Sequence, residues 1–245
     1  MVSAKKTIRI ATYNIHKCRG LDRRVSAERI ARVLREMDAD IVAMQEVVRV
    51  NSETASHDQS LHIAAETGYL HHCFGETRPL LGGIYGNATL SRWPIEHWNN
   101  YDLSHAKRER RGCLRTDIRV HGKLVHVMNV HLGTGFMERR AQARTLLGPR
   151  VLGREDLKTP RLVVGDFNEW TRGLVTSMLS AQFASAELKP RPWRMRSYPG
   201  VLPVLHLDHM YFDPTLRLEN FRLHRSRLAL VASDHLPLVA EFELS

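Results

Sequence analysis

Leu162-Val163-Val164-Gly165-Asp166-Phe167-Asn168-Glu169 is the stretch from which the rest of the chain is best read. Its opening run of branched apolar residues predicts a buried strand. That strand runs into a glycine and then into Asp166 and Asn168, two positions apart and so directed to one face. A carboxylate at a strand mouth takes a proton from water or holds a cation, and an amide beside it fixes what lies there. Gly, Asp and Asn are also ordinary turn residues, so in isolation the stretch reads equally as a strand-ending turn. The company it keeps decides between the two.

Working outward, the same pattern recurs. Residues 7–14 alternate as a strand and stop at Asn14; residues 40–46 are apolar until Gln45 and Glu46; residues 123–131 alternate and finish on His131. Further strands are expected at 69–74, 84–91, 113–120, 206–212 and 237–244. Between them, Ser26 can cap a helix over 26–37 whose apolar positions are Ile30, Val33, Leu34 and Met37. Helices are also expected at 58–67, stopped by Gly68, at 136–148 with Ala141, Leu146 and Leu147 on its apolar face, and at 173–182. The Pro-, Arg- and aromatic-containing stretch 186–206 predicts an ordered loop. No repeat, low-complexity tract or linker interrupts residues 1–245, so one domain is expected. Strands with helices between them give an α/β class with a mixed sheet or two packed sheets.

Composition bounds the possibilities. The chain has 245 residues, 43% of them hydrophobic and 25% charged, enough to bury a core without staples. Its three cysteines, Cys18, Cys73 and Cys113, are far apart, which fits neither a disulfide framework nor a zinc site and suggests a reducing compartment. No secretory pattern precedes the first strand, and no apolar run reaches the roughly 20 residues that a spanning helix needs. A cytoplasmic location is therefore expected. The net charge of +10 predicts attraction to polyanions such as nucleic acid, anionic lipid headgroups or phosphorylated small molecules, unless the excess is spread as solvated Arg. No P-loop, serine-hydrolase elbow, His-Glu-x-x-His or Cys-x-x-Cys is present.

Asn14, Glu46, Asn87, His131, Asp166, Asn168, Asp208, Asp234 and His235 all end or flank apolar runs. Sheets present such ends along one rim, where function tends to gather. The segments around them are Thr12-Tyr13-Asn14, Gln45-Glu46-Val47, Gly86-Asn87-Ala88-Thr89-Leu90-Ser91-Arg92, Asn129-Val130-His131-Leu132, Gly165-Asp166-Phe167-Asn168, Leu207-Asp208-His209 and Ser233-Asp234-His235-Leu236-Pro237. In this order they resemble the endonuclease/exonuclease/phosphatase family of deoxyribonuclease I-like phosphoesterases, over nearly the whole chain. The resemblance implies a four-layer α/β/β/α sandwich of two mixed sheets and metal-assisted cleavage of a phosphate ester.

On that resemblance Glu46 would bind Mg²⁺ (or Mn²⁺), with Asn14 holding the metal or a phosphate oxygen beside it. Asp166 would deprotonate the attacking water, steadied by Asn168. His235 would contact the phosphate with its ring held by Asp208, and His131 would bond the phosphate from the other side with Asn87 as its partner. Asp234 is either a second metal ligand or a support for His235. His16 stands where the DNA-repair branch carries an acidic residue, which counts against a two-metal arrangement. His16, His71, His72, His126 and His224 are otherwise expected to be structural or solvated.

Two basic stretches could handle an anionic substrate: residues 107–112, with Arg110 and Arg111, and residues 191–198, with Arg196 and the aromatics Trp193 and Tyr198. The first resembles a basic loop in short bacterial members of the family. The ranked expectation is a metal-dependent phosphodiesterase acting on nucleic acid, a phospholipid or another small phosphodiester. A phosphomonoesterase comes next, and a non-catalytic polyanion-binding module is the reading from a different class. A pure binder has no need of Glu46, His131, Asp166, Asn168 and His235 together. Oligomeric state and physiological substrate are not written in these residues.

Overall fold

Period-two alternation puts every second residue of each strand on one face, and two such faces pressed together exclude water. The computed structural model describes residues 5–50, 58–80, 82–170, 173–187 and 196–244. One sheet has six strands: β1 (Thr7–Asn14), β2 (Ile41–Val50), β3 (His71–Leu80), β4 (Gly83–Ser91), β11 (Arg217–Leu223) and β12 (Leu238–Glu243), in the order β11-β12-β1-β2-β4-β3. The other holds β5 (Ile95–Asp102), β6 (Gly112–Val120), β7 (Lys123–His131), β8 (Arg161–Asp166), β9 (Ala184–Ser185) and β10 (Asp208–Phe212), in the order β5-β6-β7-β8-β10-β9. Each sheet is mixed. β1 and β2 run parallel across helix α1 (Ala27–Met37), and β7 and β8 run parallel across α3 (Phe136–Leu147). The remaining pairs are antiparallel.

The core falls into three apolar layers, which make the four-layer sandwich. Ile8, Ile10, Ile41, Ala43, Val125, Val127, Leu162, Val164, Met210 and Phe242 fill the space between the sheets. Ala11, Tyr13, Val42 and Met44 point outward from the first sheet onto Ile30, Val33 and Leu34 of α1 and Ile63 of α2 (Gln59–Thr67). Met128, Val130, Val163 and Tyr211 leave the second sheet toward Ala143 and Leu146 of α3 and Val175 and Leu179 of α4 (Leu174–Ser180). Each fully buried Leu, Ile or Val contributes about 1.5–3 kcal/mol. Ser26 caps α1 by accepting the Arg29 N–H at 3.1 Å, as the sequence predicts, and Gly68 ends α2 with φ of 74°.

β5, β11 and the short helix α5 (Ala229–Ala232) are missed by the sequence reading. β5 is an edge strand with most of its side chains in solvent, and β11 is an edge strand broken by an irregularity between Leu218 and Asn220. Neither needs the alternation that marks a half-buried strand. The face of α3 also differs from expectation. Ala141 and Leu147 are only half-buried, while Glu138, Arg139, Gln142, Ala143 and Leu146 turn inward. Gln142 accepts the Gly133 N–H at 2.8 Å, and Arg139 donates to the Gly133 and Thr134 carbonyls, so this polar face ties down the loop after His131. All three cysteines are buried and free. Among the described residues no helix is long and apolar enough to cross a membrane.

Candidate active site

The parity that fills the core also builds the site. Ile8, Ile10, Thr12 and Asn14 share the inner face of β1, Leu162, Val164 and Asp166 that of β8, and Asp208, Met210 and Phe212 that of β10. Register then sets three ends side by side, because His131 pairs with Asp166 and Asp166 with Asp208. Gly165 permits this approach. It has φ of +145°, and a Cβ there would overlap the Val130 carbonyl oxygen of β7.

Glu46 arrives by a different device. Gln45 and Glu46 of β2 together face the single Asn87 of β4, since the register passes from Met44–Ala88 to Val47–Gly86. This bulge puts Glu46 in the left-handed region, φ 58°, and re-aims its carboxylate toward the rim. The strand therefore does not stop at Glu46 as expected but continues to Val50. Beneath the bulge lies a buried polar seam between the sheets. Gln45 Nε2 donates to Asn129 Oδ1 at 2.8 Å and to Thr12 Oγ1 at 3.0 Å, and Asn129 Nδ2 donates to the Met44 and Ala88 carbonyls. Asn87 belongs to this seam. Its amide donates to the Gly112 and Asn129 carbonyls, so it is not the partner of His131 that the sequence reading assigned.

Asp166 is central. Its Oδ1 accepts the Asn168 N–H at 2.9 Å and its Oδ2 accepts Asn14 Nδ2 at 3.0 Å. His131 Nε2 and His235 Nε2 stand 3.6 and 3.7 Å from the same Oδ2. Asn14 also donates to Glu46 Oε1 at 3.2 Å, while its Oδ1 accepts the His16 N–H. Asn14, expected to hold a metal or a phosphate oxygen, thus bridges two carboxylates, and its oxygen accepts one backbone N–H. Asn168, at φ 50°, donates through its side chain to the Leu132 carbonyl. Glu169, next in the chain, turns away and accepts the Val175 and Thr176 N–H groups at the start of α4.

The two histidines have opposite surroundings. His235 Nδ1 lies 2.8 Å from Asp208 Oδ2, which also accepts the Ser197 hydroxyl. Burial alone would lower the His235 pKa, but the charges of Asp208 and Asp166 outweigh it and raise it to about 10. For His131, burial and the Arg111 guanidinium outweigh Asp166 and Glu46 and lower the pKa to about 4. Arg111 Nη1, a donor only, faces His131 Nδ1 at 3.3 Å, so the proton of the neutral ring sits on Nε2. Burial would raise the Glu46 pKa; the nearby cations, His131 when charged and Lys17, hold it at about 2. Beside a neutral His131, the Lys17 ammonium and the Asn14 amide supply the remaining lowering.

Other expected residues fall less centrally. Asp234 Oδ1 lies 3.5 Å from His16 Nδ1, and its charge is among those that raise the His235 pKa. Arg111 is buried in the site, whereas Arg110 is exposed and paired loosely with Asp102 at 3.6 Å. Arg196 is exposed next to Ser197, and the Tyr198 ring lies 4.9 Å from that of His235. Residues 191–195, with Trp193, lie outside the described residues. Lys17 and Ser197 were not anticipated. They end no apolar run, and only the turn and loop that carry them bring them in.

The fold has known counterparts. The model of the Endonuclease/Exonuclease/phosphatase family matches residues 11–235. The chain is 34% identical over 259 residues to "Uncharacterized protein YbhP" of Escherichia coli K12, covering 97% of each chain. The crystal structure of an endonuclease/exonuclease/phosphatase from Beutenbergia cavernae superposes with a TM-score of 0.78 at 26% identity, covering 98% of this chain and 72% of that one. A mannosyl-6-phosphatase of Bacteroides thetaiotaomicron shares the fold, with a TM-score of 0.72 at 18% identity and coverage of 97% and 100%. The chain belongs to the endonuclease/exonuclease/phosphatase family, whose members are in general hydrolytic phosphoesterases.

Proposed function

We propose that the protein is a divalent-metal-dependent hydrolase of phosphate diesters, with Asp166 as the base that activates water. The observation that carries this reading is the convergence of Asn14, His131 and His235 on one carboxylate oxygen of Asp166, with the ionised Glu46 alongside. Asp166, its orientation fixed by Asn14 and the Asn168 N–H, would take a proton from a water placed in line with the ester. The Nε2–H of neutral His131 and the Nε2–H of His235 would donate to the phosphate oxygens. Arg111, behind His131, would add positive charge to the same cradle.

The donor set suits Mg²⁺ or Mn²⁺. Glu46 is a half-buried, charged oxygen donor with Asp166 close by, and a hard cation prefers such oxygens. Asp166, Asp208 and His235 also bring ligand atoms within 4.8 Å of one another. A protonated imidazole donates hydrogen bonds rather than ligating, so that trio reads as an ion-paired His235, and Glu46 would be the principal ligand. When bound, the ion would offset charge developing on the phosphoryl and leaving oxygens.

The test is turnover of bis(p-nitrophenyl) phosphate and p-nitrophenyl phosphate with each divalent ion. Diester cleavage lost on chelation and reduced at least ~10²-fold in Asp166→Asn is expected. Preference for the monoester would instead make the protein a phosphatase, and no turnover of either would favour a polyanion-binding role. Plasmid and anionic phospholipid vesicles, compared under the same conditions, separate a nucleic-acid from a lipid substrate. Binding to DNA should weaken steeply with salt.

A further inference from the structure

His16, Lys17 and Cys18 follow β1 with φ values of 45°, 59° and 57°, three successive left-handed residues and none of them glycine. Each such residue costs about 1–2 kcal/mol, and strain of this kind collects where the surroundings impose it. Here the turn is pinned by the His16 N–H on Asn14 Oδ1, the Cys18 N–H on the Ile15 carbonyl, the Ser26 N–H on the Cys18 carbonyl and Gln59 Nε2 on the Lys17 carbonyl. Its outcome is that the Lys17 ammonium sits 2.6 Å from Glu46 Oε2, with the Tyr85 ring 5.8 Å away. Asn14 takes the other oxygen of Glu46. The carboxylate best suited to a divalent ion therefore already holds a cation of the chain's own.

An ammonium and a divalent ion at contact distance from one carboxylate oxygen repel each other strongly, so binding of one weakens binding of the other. Left without either, a mostly buried carboxylate would be costly to keep charged. The lysine stem is long and flexible enough to withdraw once its partner is claimed. We propose that Lys17 is a tethered counter-ion for Glu46, and that the divalent ion binds by displacing it, so that metal loading is a cation exchange. The proposal rests on the reading of Glu46 as a metal ligand. Lys17 thereby keeps the site charged and assembled before loading and lowers its affinity for the metal.

The test needs no substrate. Mn²⁺ binding to the chelator-stripped full chain, followed by electron paramagnetic resonance and checked with Mg²⁺ by calorimetry, is compared for wild type, Lys17→Met, Lys17→Gln and Glu46→Gln. Binding roughly tenfold tighter in the two Lys17 variants is expected, with Glu46→Gln losing it. If wild type binds the ion through Glu46 and both Lys17 variants bind it equally or more weakly, the exchange is overturned while the metal reading stands. If wild type and both Lys17 variants bind no ion, both fall. Two substitutions guard against one of them failing to fold, and circular dichroism checks each.

Discussion

His131 and His235 face one oxygen of Asp166 from two sides, and the groups behind them drive their protonation apart. A guanidinium stands behind His131 and a carboxylate behind His235. His235, raised to about 10, contributes stability that is complete below the free value of about 6.5 and is lost as pH rises through about 10. His131 works in the opposite sense. On acidification from about 6.5 toward 4 the unfolded chain takes up a proton that the folded chain refuses, and stability falls. Urea unfolding of wild type and His235→Asn should show a stability difference that shrinks between pH 6.5 and 10. A difference constant across that window would reject the Asp208–His235 ion pair. Asp166, Asp208, His131 and His235 were legible in the sequence because each ends or adjoins an apolar run. Lys17 was not, because a left-handed turn leaves no periodic trace; His16, expected to be structural or solvated, meets Asp234.

Among the elements, the long buried strands could be read from alternation alone, and the edges could not. β5 and β11 bury too little for a hydrophobic period to appear, and the bulge in β2 hid the strand's continuation to Val50 behind two polar residues. The pairing of Asn87 with His131 was misread for a related reason, since its amide bonds to backbone carbonyls of the facing sheet. A Gly-Asn pair in a strand says nothing about whether its amide faces the substrate or the opposite sheet. Gly165 is the position where an element tolerates least. With a positive φ and the Val130 carbonyl against it, Gly165→Ala forces β8 away from β7. A loss of about 3 kcal/mol or more is expected in chemical denaturation, with activity lowered in whatever fraction folds. A neutral substitution would mean that the β7–β8 register is not what holds Asp166 beside His131.

Over the whole molecule the site is divided between the sheets: Asn14 and Glu46 from one, His131, Asp166 and Asp208 from the other, and His235 from the loop that returns to the first. What fixes their separation is the seam of Thr12, Gln45, Asn87 and Asn129 below. Asn129→Leu keeps the branched shape but removes one acceptor of the Gln45 amide and the donor to the Met44 and Ala88 carbonyls, at about 1–3 kcal/mol for each group left unpaired. A loss of at least ~3 kcal/mol is expected by denaturant titration. Activity should fall further than stability explains, because the sheets are then free to slide. An active variant of unchanged stability would remove the seam from the account. The four-layer architecture was legible from the order of the motifs. This seam was not, since its amides read in sequence as rim residues.

The strand order carries one more consequence. The first sheet is built from β1–β4 and completed by β11 and β12, while everything between lies in the second. A nascent chain still on the ribosome therefore displays Glu46 and Asp166 long before His235 and β12 emerge, and until then β1 has no neighbour on that side. Assembly of the site thus finishes late in synthesis, when β12 pairs with β1 and the loop before it brings His235 to the rim.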